Sequence, residues 1–136
     1  MTPDLDPLTR ALASLERGLL RWQATPADEE LRDACIQRFE LTFELCWKTL
    51  KRRLESDLPN PQEVDAMSFR TLLRVGAEQG LVGDVKAWWV HRDKRNLTTH
   101  TYNAAVAADV AASIPKFAAD AAELLAALRR KGELDA

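Results

Sequence analysis

The amino-acid sequence predicts an all-α protein, an antiparallel bundle of helices with short connections. Alanine and leucine dominate, and the 136 residues include only five glycines and six prolines, a mixture that favours helices. Apolar residues recur every three or four positions along most of the chain, as on one face of a helix. The length suits a single domain over residues 1–136. We expect an ordered core over about 8–128 and a frayed tail over 131–136.

Proline-containing signals delimit the first two helices. Asp6 followed by Pro7 starts the first helix, because proline is favoured in a first helical turn. The apolar stripe of this helix consists of Leu8, Leu12, Leu15, Leu19 and Trp22. Thr25-Pro26 ends the helix, and a Thr-x-x-Asp capping pattern there starts a second helix, predicted over about 26–57.

Three further helices follow a predicted loop. Two prolines open this loop, which extends over about 59–65 and precedes a short helix. Asp84 caps a fourth helix, which ends in the polar run 91–96. The last helix begins near Asn103, and its apolar phase is kept on both sides of Pro115. We therefore predict one helix with a kink at that proline.

The second helix is apolar on more than one side, which indicates a central position or a second contact surface. Phe39, Phe43 and Trp47 share one face at helical spacing, as core residues do. Leu41 and Leu45 lie on a different side. They either form the seam of a homodimer or pack within the chain.

The two cysteines, Cys35 and Cys46, are expected to be buried free thiols. They are eleven residues apart, about 16 Å along one helix, whereas a disulfide requires Cα atoms within about 7 Å. Only His91 and His100 could join them as ligands, so we expect no metal site and no cofactor.

Charge and targeting signals restrict the functional class. The net charge of −2 is no overall nucleic-acid signature. Two local basic clusters fit solvated helix faces. They are Lys48, Lys51, Arg52 and Arg53, and His91, Arg92, Lys94 and Arg95. No apolar run approaches the ~20 residues that span a bilayer, and the amino terminus lacks the pattern of a signal peptide. We expect a cytoplasmic protein without membrane contact.

The segment Arg-Asn-Leu-Thr-Thr-His-Thr-Tyr, residues 95–102, is the candidate site. Histidine is the side chain best suited to take up and return a proton near neutral pH, which makes His100 the candidate for proton transfer. Arg95 offers a planar fork of donors for phosphate oxygens. Asn96 is placed to orient either a phosphate or the His100 ring. Tyr102, the only tyrosine, either contacts a base or a phosphate or is itself a site of modification. These residue types predict metal-free chemistry on phosphate esters. The alternative is a structural segment that bonds helix-end carbonyls.

Helix geometry constrains this site. On an unbroken helix Arg95 and His100 would point about 140° apart. The helix must therefore end or distort before His100, or a second subunit must complete the site. Arg92, Arg95 and Asn96 share one helix face, which makes Arg92 a second candidate phosphate contact.

Two segments resemble the signatures of a known family. Residues 33–54, Asp-Ala-Cys-Ile-Gln-Arg-Phe-Glu-Leu-Thr-Phe-Glu-Leu-Cys-Trp-Lys-Thr-Leu-Lys-Arg-Arg-Leu, look like the signature helix of nucleotidyltransferase substrate-binding proteins. Residues 95–102 look like their second signature. These proteins belong to the wider HEPN group and are similar to HepT toxins. The resemblance covers about residues 8–128.

The resemblance implies an antiparallel up-and-down four-helix bundle with an extra short helix, forming a homodimer. It also implies a minimal nucleotidyltransferase as the partner. HepT-like members are metal-independent ribonucleases with an Arg-x4-His-x-Tyr motif, here Arg95, His100 and Tyr102, at the dimer cleft. In such toxin–antitoxin systems the nucleotidyltransferase is the antitoxin and adds AMP to the motif tyrosine, here Tyr102. The added bulk and negative charge would keep RNA out of the cleft.

Three functions remain open from the sequence. The chain is a ribonuclease toxin, a non-catalytic adaptor that presents a substrate to a nucleotidyltransferase, or a helical dimer in which the motif is structural. Glu40, Glu44 and Lys48 follow one another at intervals of four residues. They either form an ion-paired stripe or line the cleft.

Overall fold

The computed structural model describes residues 2–135, which form six α-helices and a 3₁₀ turn and contain no strand. The helices are α1 (Asp6–Ala24), α2 (Glu29–Asp57), α3 (Pro61–Asp65), α4 (Phe69–Glu78), α5 (Val85–Asn96) and α6 (Ala104–Leu134), with the 3₁₀ turn at Leu97–His100 between the last two. Helices α1, α2 and α6 pack on one another, and α5 packs on α2 and α6. The all-α prediction is confirmed.

The core is centred on α2, which is buried on several sides. Phe39 and Phe117 are fully buried, and their ring centroids lie 4.8 Å apart in an edge-to-face arrangement. Phe43 packs between Phe69 and Trp88, with centroids at 5.8 and 6.4 Å. These contacts fix α4, α5 and α6 against α2, so the aromatic cluster sets the frame of the site described below.

The start of α2 differs from the prediction. Asp28, not Thr25, is its N-cap, since the Asp28 carboxylate accepts a hydrogen bond of 3.1 Å from the Leu31 amide. The Thr25 amide instead donates to the Trp22 carbonyl and closes α1. Both residue types are good caps, and the helix begins at Glu29 because Pro26 lies in the turn between the two caps.

The predicted loop 59–65 contains a short helix. Asn60 caps α3 by accepting a hydrogen bond of 3.1 Å from the Gln62 amide. Pro61 occupies the first turn, where a missing N–H costs nothing. Val64 is buried and attaches this helix to the core. The second proline thus starts a helix where we expected only a break.

The carboxyl-terminal segment is helical where we expected a frayed tail. Helix α6 is continuous across Pro115, as predicted, and extends to Leu134; the kink expected at Pro115 stays a prediction. The Asp135 carboxylate accepts hydrogen bonds from both terminal nitrogens of Arg53, one of them at 2.8 Å, and a third from the Thr2 hydroxyl. These partners hold the pKa of the Asp135 carboxyl well below its usual range. The tail is ordered because it neutralises a buried guanidinium.

Arg53 therefore departs from the solvated face predicted for its basic cluster. It is 3% exposed and also pairs with Asp57 at 2.9 Å. Arg52 and Lys48, by contrast, are exposed as expected. The helix thus buries one member of this basic cluster, Arg53, and leaves Arg52 and Lys48 exposed.

The two leucines and the two cysteines of α2 also differ in how far they match the expectations from the sequence. Leu45 packs against the core, whereas Leu41 is 56% exposed. Cys35 and Cys46 are buried free thiols, as predicted, and burial raises the pKa of both.

Among residues 2–135 no helix has the combined length and apolar character needed to cross a membrane.

Candidate active site

The candidate segment is a break between α5 and α6. Helix α5 ends at Asn96, and the next four residues form the 3₁₀ turn. The Thr98 hydroxyl donates to the Arg95 carbonyl at 2.7 Å, and Asn103 then caps α6. The expected distortion before His100 is therefore present. Because the 3₁₀ turn advances about 120° per residue, it redirects His100 relative to the helix that carries Arg95.

Arg95 faces the middle of α2. Its Nε lies 3.4 Å from Glu44 Oε1, and this contact is an ion pair without hydrogen-bond geometry, since Nε is buried and has no hydrogen-bond partner within the described residues. Glu44 Oε2 accepts a hydrogen bond of 3.2 Å from the Trp47 indole and lies 3.8 Å from Lys48 Nζ. Glu44 thus belongs both to the ion-paired stripe and to the surroundings of Arg95.

A pocket of about 410 Å³ opens beside Arg95, between α2, α3, α4 and α5. The Arg92 guanidinium lies over the Phe69 ring, 4.9 Å from its centroid. Lys51 is at the pocket wall and pairs with Asp65 at 2.7 Å. The lining residues are Phe43, Glu44, Trp47, Lys51, Val64, Met67, Phe69, Leu72, Arg92, Arg95 and Asn96. The structure therefore brings Arg92, Arg95 and Asn96 to one pocket, as their spacing predicts.

His100 and Tyr102 lie outside this pocket. Both are exposed, Tyr102 by 85%. The Tyr102 hydroxyl is 3.4 Å from His100 Nδ1, and the two rings are nearly perpendicular. No hydrogen bond or ion pair joins either residue to Arg95 in the described part of the chain. Between them in sequence, Thr101 lines a shallow depression together with Glu40 of α2.

His91 is the main surprise at the site, because the sequence places it in an exposed basic cluster. It is 2% exposed, and its Nε2 lies 2.6 Å from Asp120 Oδ2 of α6. The rings of Trp88 and Phe117 pack edge-on against it. Burial lowers the pKa of His91, and the hydrogen bond to Asp120 opposes that shift only in part.

The His91–Asp120 pair positions the site without belonging to it. It fixes α5 to α6 one residue before Arg92. The sequence contains an indication of this pair. Asp120 falls within the buried stripe of α6, three residues after Phe117 and four before Leu124. An acidic residue in such a stripe requires a buried partner.

Most pocket residues from α2, α3 and α4 were not predicted to line a site, although Glu44 was a candidate. Trp47 packs against the core, as expected, but it is only half-buried and also lines the pocket. Met67 and Phe69 are likewise half-buried. The composition of α4 gave no indication that it would cover one end of α5, because that contact depends on the path of the segment 58–68.

Fold and site together define a class: small all-helical domains in which an Arg-x4-His-x-Tyr segment joins two helices of a bundle. The comparisons with known proteins agree with this class. The chain belongs to the family described as nucleotidyltransferase substrate binding protein like, whose sequence model matches residues 3–130. The resemblance inferred from the two signature segments is therefore confirmed.

Individual relatives extend over nearly the same length. A Haemophilus influenzae protein named probable ribonuclease HepT is 34% identical over 140 residues, which cover 97% of this chain and 96% of the relative. A solved H. influenzae structure, described as a substrate binding domain of a nucleotidyltransferase, has a TM-score of 0.88 at 34% identity, covering 93% of this chain and 99% of the other. A solved structure from Thermus thermophilus has a TM-score of 0.74 at 32% identity, covering 90% of this chain and 98% of the other.

Proposed function

We propose that this chain is the HepT-like ribonuclease of a two-gene toxin–antitoxin system, acting without a metal at the cleft of a homodimer. The observation that carries the proposal is the exposed His100–Tyr102 pair, on the segment that follows the helix bearing Arg95 and its pocket. The relative named probable ribonuclease HepT supports it. The chemistry below uses only this chain's own side chains.

His100 is the acid–base group in this proposal. A neutral imidazole that donates its Nδ1–H to the Tyr102 oxygen keeps an unprotonated Nε2 facing solvent. Nε2 takes the proton of an RNA 2′-hydroxyl, whose oxygen attacks the adjacent phosphorus. The bond from phosphorus to the 5′-oxygen breaks, and the imidazolium returns a proton to that leaving oxygen. The products are a 2′,3′-cyclic phosphate and a 5′-hydroxyl.

Arg95 stabilises the negative charge that develops on the phosphate oxygens. Arg92 and Asn96 line the same pocket and bind the adjoining phosphate. Within one chain Arg95 and His100 lie in separate groups, so the proposal places the site in a dimer cleft where two copies of each approach one another. The exposed Leu41 on α2 supports an interface on this side of the molecule.

The same geometry supports silencing by a nucleotidyltransferase partner. Tyr102 is 85% exposed, so its hydroxyl is accessible to an enzyme that transfers AMP. The modified oxygen no longer accepts from His100 with its original geometry, and the added phosphate repels RNA. The family description, which refers to nucleotidyltransferases, supports this partner.

RNA cleavage by the purified protein in EDTA tests the proposal. The wild type, first shown by intact mass to be free of AMP, is compared with His100→Ala and with Thr99→Ala, an exposed neighbour on the same 3₁₀ turn. We expect His100→Ala to lower the rate by about 10²–10⁴-fold, the usual contribution of a general acid–base, and Thr99→Ala to leave it within about twofold. Full activity of His100→Ala, or an inactive unmodified wild type, would reject the ribonuclease.

A second candidate is a non-catalytic adaptor that docks a nucleotidyltransferase and presents its substrate. The family description and the solved H. influenzae substrate binding domain favour it. It predicts co-purification with a nucleotidyltransferase, no RNA cleavage and no growth effect of the chain alone. Failure to bind any nucleotidyltransferase encoded beside it would count against the adaptor.

A further inference from the structure

We propose that the pocket between α2, α3, α4 and α5 binds one nucleotide of single-stranded RNA. The base stacks against Trp47 and packs beside Phe69, whose ring already carries the Arg92 guanidinium on one face. The phosphates on the two sides of the nucleotide bind Arg92 and Arg95. This inference deepens the proposed function and rests on it, since RNA is taken as the ligand. It adds a base-binding subsite to a motif that so far explains only contacts with the phosphate and the 2′-hydroxyl.

The size and lining of the pocket fit a nucleobase. Its volume of about 410 Å³ lies within the usual ~300–1,000 Å³ of small-molecule sites. Trp47 and Phe69 line it and are only half-buried. Aromatic side chains that keep accessible surface beside cations are the common platform for single-stranded nucleic acid, because every base has a flat face to stack.

The charges of the pocket favour an anion. Three cations, Lys51, Arg92 and Arg95, line it together with one carboxylate, Glu44. Lys51 is neutralised by Asp65, but Arg92 has only its contact with the Phe69 ring among the interactions of residues 2–135. A phosphate would give the Arg92 guanidinium the charged acceptor that the chain does not supply.

Arg95 adds a second unsatisfied group. Its Nε is buried without a hydrogen-bond partner in the described chain, although Glu44 lies 3.4 Å away. Buried donors of this kind are uncommon and call for an acceptor. A phosphate oxygen that draws the guanidinium away from Glu44 would satisfy the Arg95 Nε.

Binding of a fluorescent short single-stranded RNA, measured by anisotropy, tests the subsite. All proteins carry His100→Ala so that the RNA stays intact. We expect Trp47→Leu and Phe69→Leu each to bind about tenfold more weakly, the usual effect of losing one stacked base. The matched control is Trp22→Leu, which removes a half-buried tryptophan of α1 outside the pocket and should bind within about twofold of the parent.

A comparison of normal RNA with an RNA that lacks its bases uses the parent protein alone. Its result therefore does not depend on whether the stacking variants fold. The parent protein should bind this abasic RNA about tenfold more weakly at equal salt. Arg92→Gln should lower the salt dependence of binding by about one phosphate contact. Equal affinity for normal and abasic RNA, or binding of an acidic peptide in preference to RNA, would overturn the proposal.

The outcomes separate this inference from the ribonuclease. If base-dependent binding is found but the wild type cuts no RNA, the subsite stands and the catalytic proposal fails. If the wild type cuts RNA but both stacking variants and the abasic RNA bind normally, catalysis stands and the subsite fails. Circular dichroism of each variant identifies any loss of fold, and in that event the abasic comparison decides.

Discussion

Replacing Asp120 by leucine would leave His91 without a polar partner in the centre of the bundle. The 2.6 Å contact from His91 Nε2 to Asp120 Oδ2 is the hydrogen bond made by this ring, since Nδ1 is buried and unpartnered within residues 2–135. Trp88 and Phe117 supply only ring contacts. The variant therefore strands the Nε2 donor beside an Nδ1 that already has no partner among the described residues.

The magnitude follows from what is lost and gained. A hydrogen bond to a charged group contributes about 1.5–3 kcal/mol, and a stranded buried donor costs about 1–3 kcal/mol. The new leucine side chain recovers part of this by burying apolar surface. We expect a net loss of about 2 kcal/mol in the free energy of unfolding, or about 7 °C in Tm for a chain of this length. Lys116 pairs with Asp120 too, but its side chain is 65% exposed and returns to water at little cost.

Urea unfolding followed by circular dichroism, with the full double-mutant cycle, measures this coupling. Replacing both His91 and Asp120 by leucine should bring stability back to within about 1 kcal/mol of the wild type, because no buried polar group is then left unpaired. Lys116→Gln is the control and should change stability by less than about 0.5 kcal/mol. If the double variant lost as much free energy of unfolding as the two single variants lose together, the coupling energy between His91 and Asp120 would be zero. That result would refute the reasoning.

Three further predictions concern pH, packing and assembly. Because burial lowers the pKa of His91 below its ordinary value of about 6.5, the unfolded chain alone gains a proton as the pH falls below that value, so the free energy of unfolding should decrease there. Urea titrations at about pH 7.5 and 5.5 should show a larger decrease for the wild type than for the variant with leucine at His91 and Asp120, and equal decreases would contradict this. Gly76→Ala places a Cβ 3.0 Å from Val82 Cγ2. Although alanine has the better helix propensity, this close contact should lower the free energy of unfolding by about 1–2 kcal/mol, measured by thermal melting. An unchanged Tm would mean that Val82 moves aside. Leu41→Asp should turn the proposed dimer into a monomer in sedimentation while changing stability of the bundle by less than about 0.5 kcal/mol, and a surviving dimer would exclude Leu41 from the interface.

Much of the fold could be predicted because helices are local structures. The stripe of α1 from Leu8 to Leu19 is buried as its spacing requires, and the phase kept across Pro115 corresponds to one continuous helix. The choice between Thr25 and Asp28 as a cap was not predictable in this way. Both side chains suit the position, but Pro26 lies in an exposed turn between them and the second helix begins only after Asp28.

The errors have a common physical origin in contacts between distant residues. The tail is held by Arg53 and Asp135, which are 82 positions apart, and His91 leaves its polar cluster to meet Asp120, 29 positions away. The regular spacing of apolar residues along a helix gives no information about pairs of residues so far apart in the sequence. The shared face of Arg92, Arg95 and Asn96 was predictable because it needs one helix only, whereas the aromatic wall opposite them comes from α2 and α4. The roles of these residues in catalysis remain predictions.

The burial of both native thiols has a practical consequence for spectroscopy. Cys35 and Cys46 are inaccessible, and their raised pKa values suppress the reactive thiolate. A cysteine introduced at an exposed position such as Leu41 would therefore be the only thiol that a maleimide dye or a nitroxide label reaches quickly. Distance measurements between two labelled copies can then be made on an otherwise native sequence, without first building a cysteine-free protein whose core is altered.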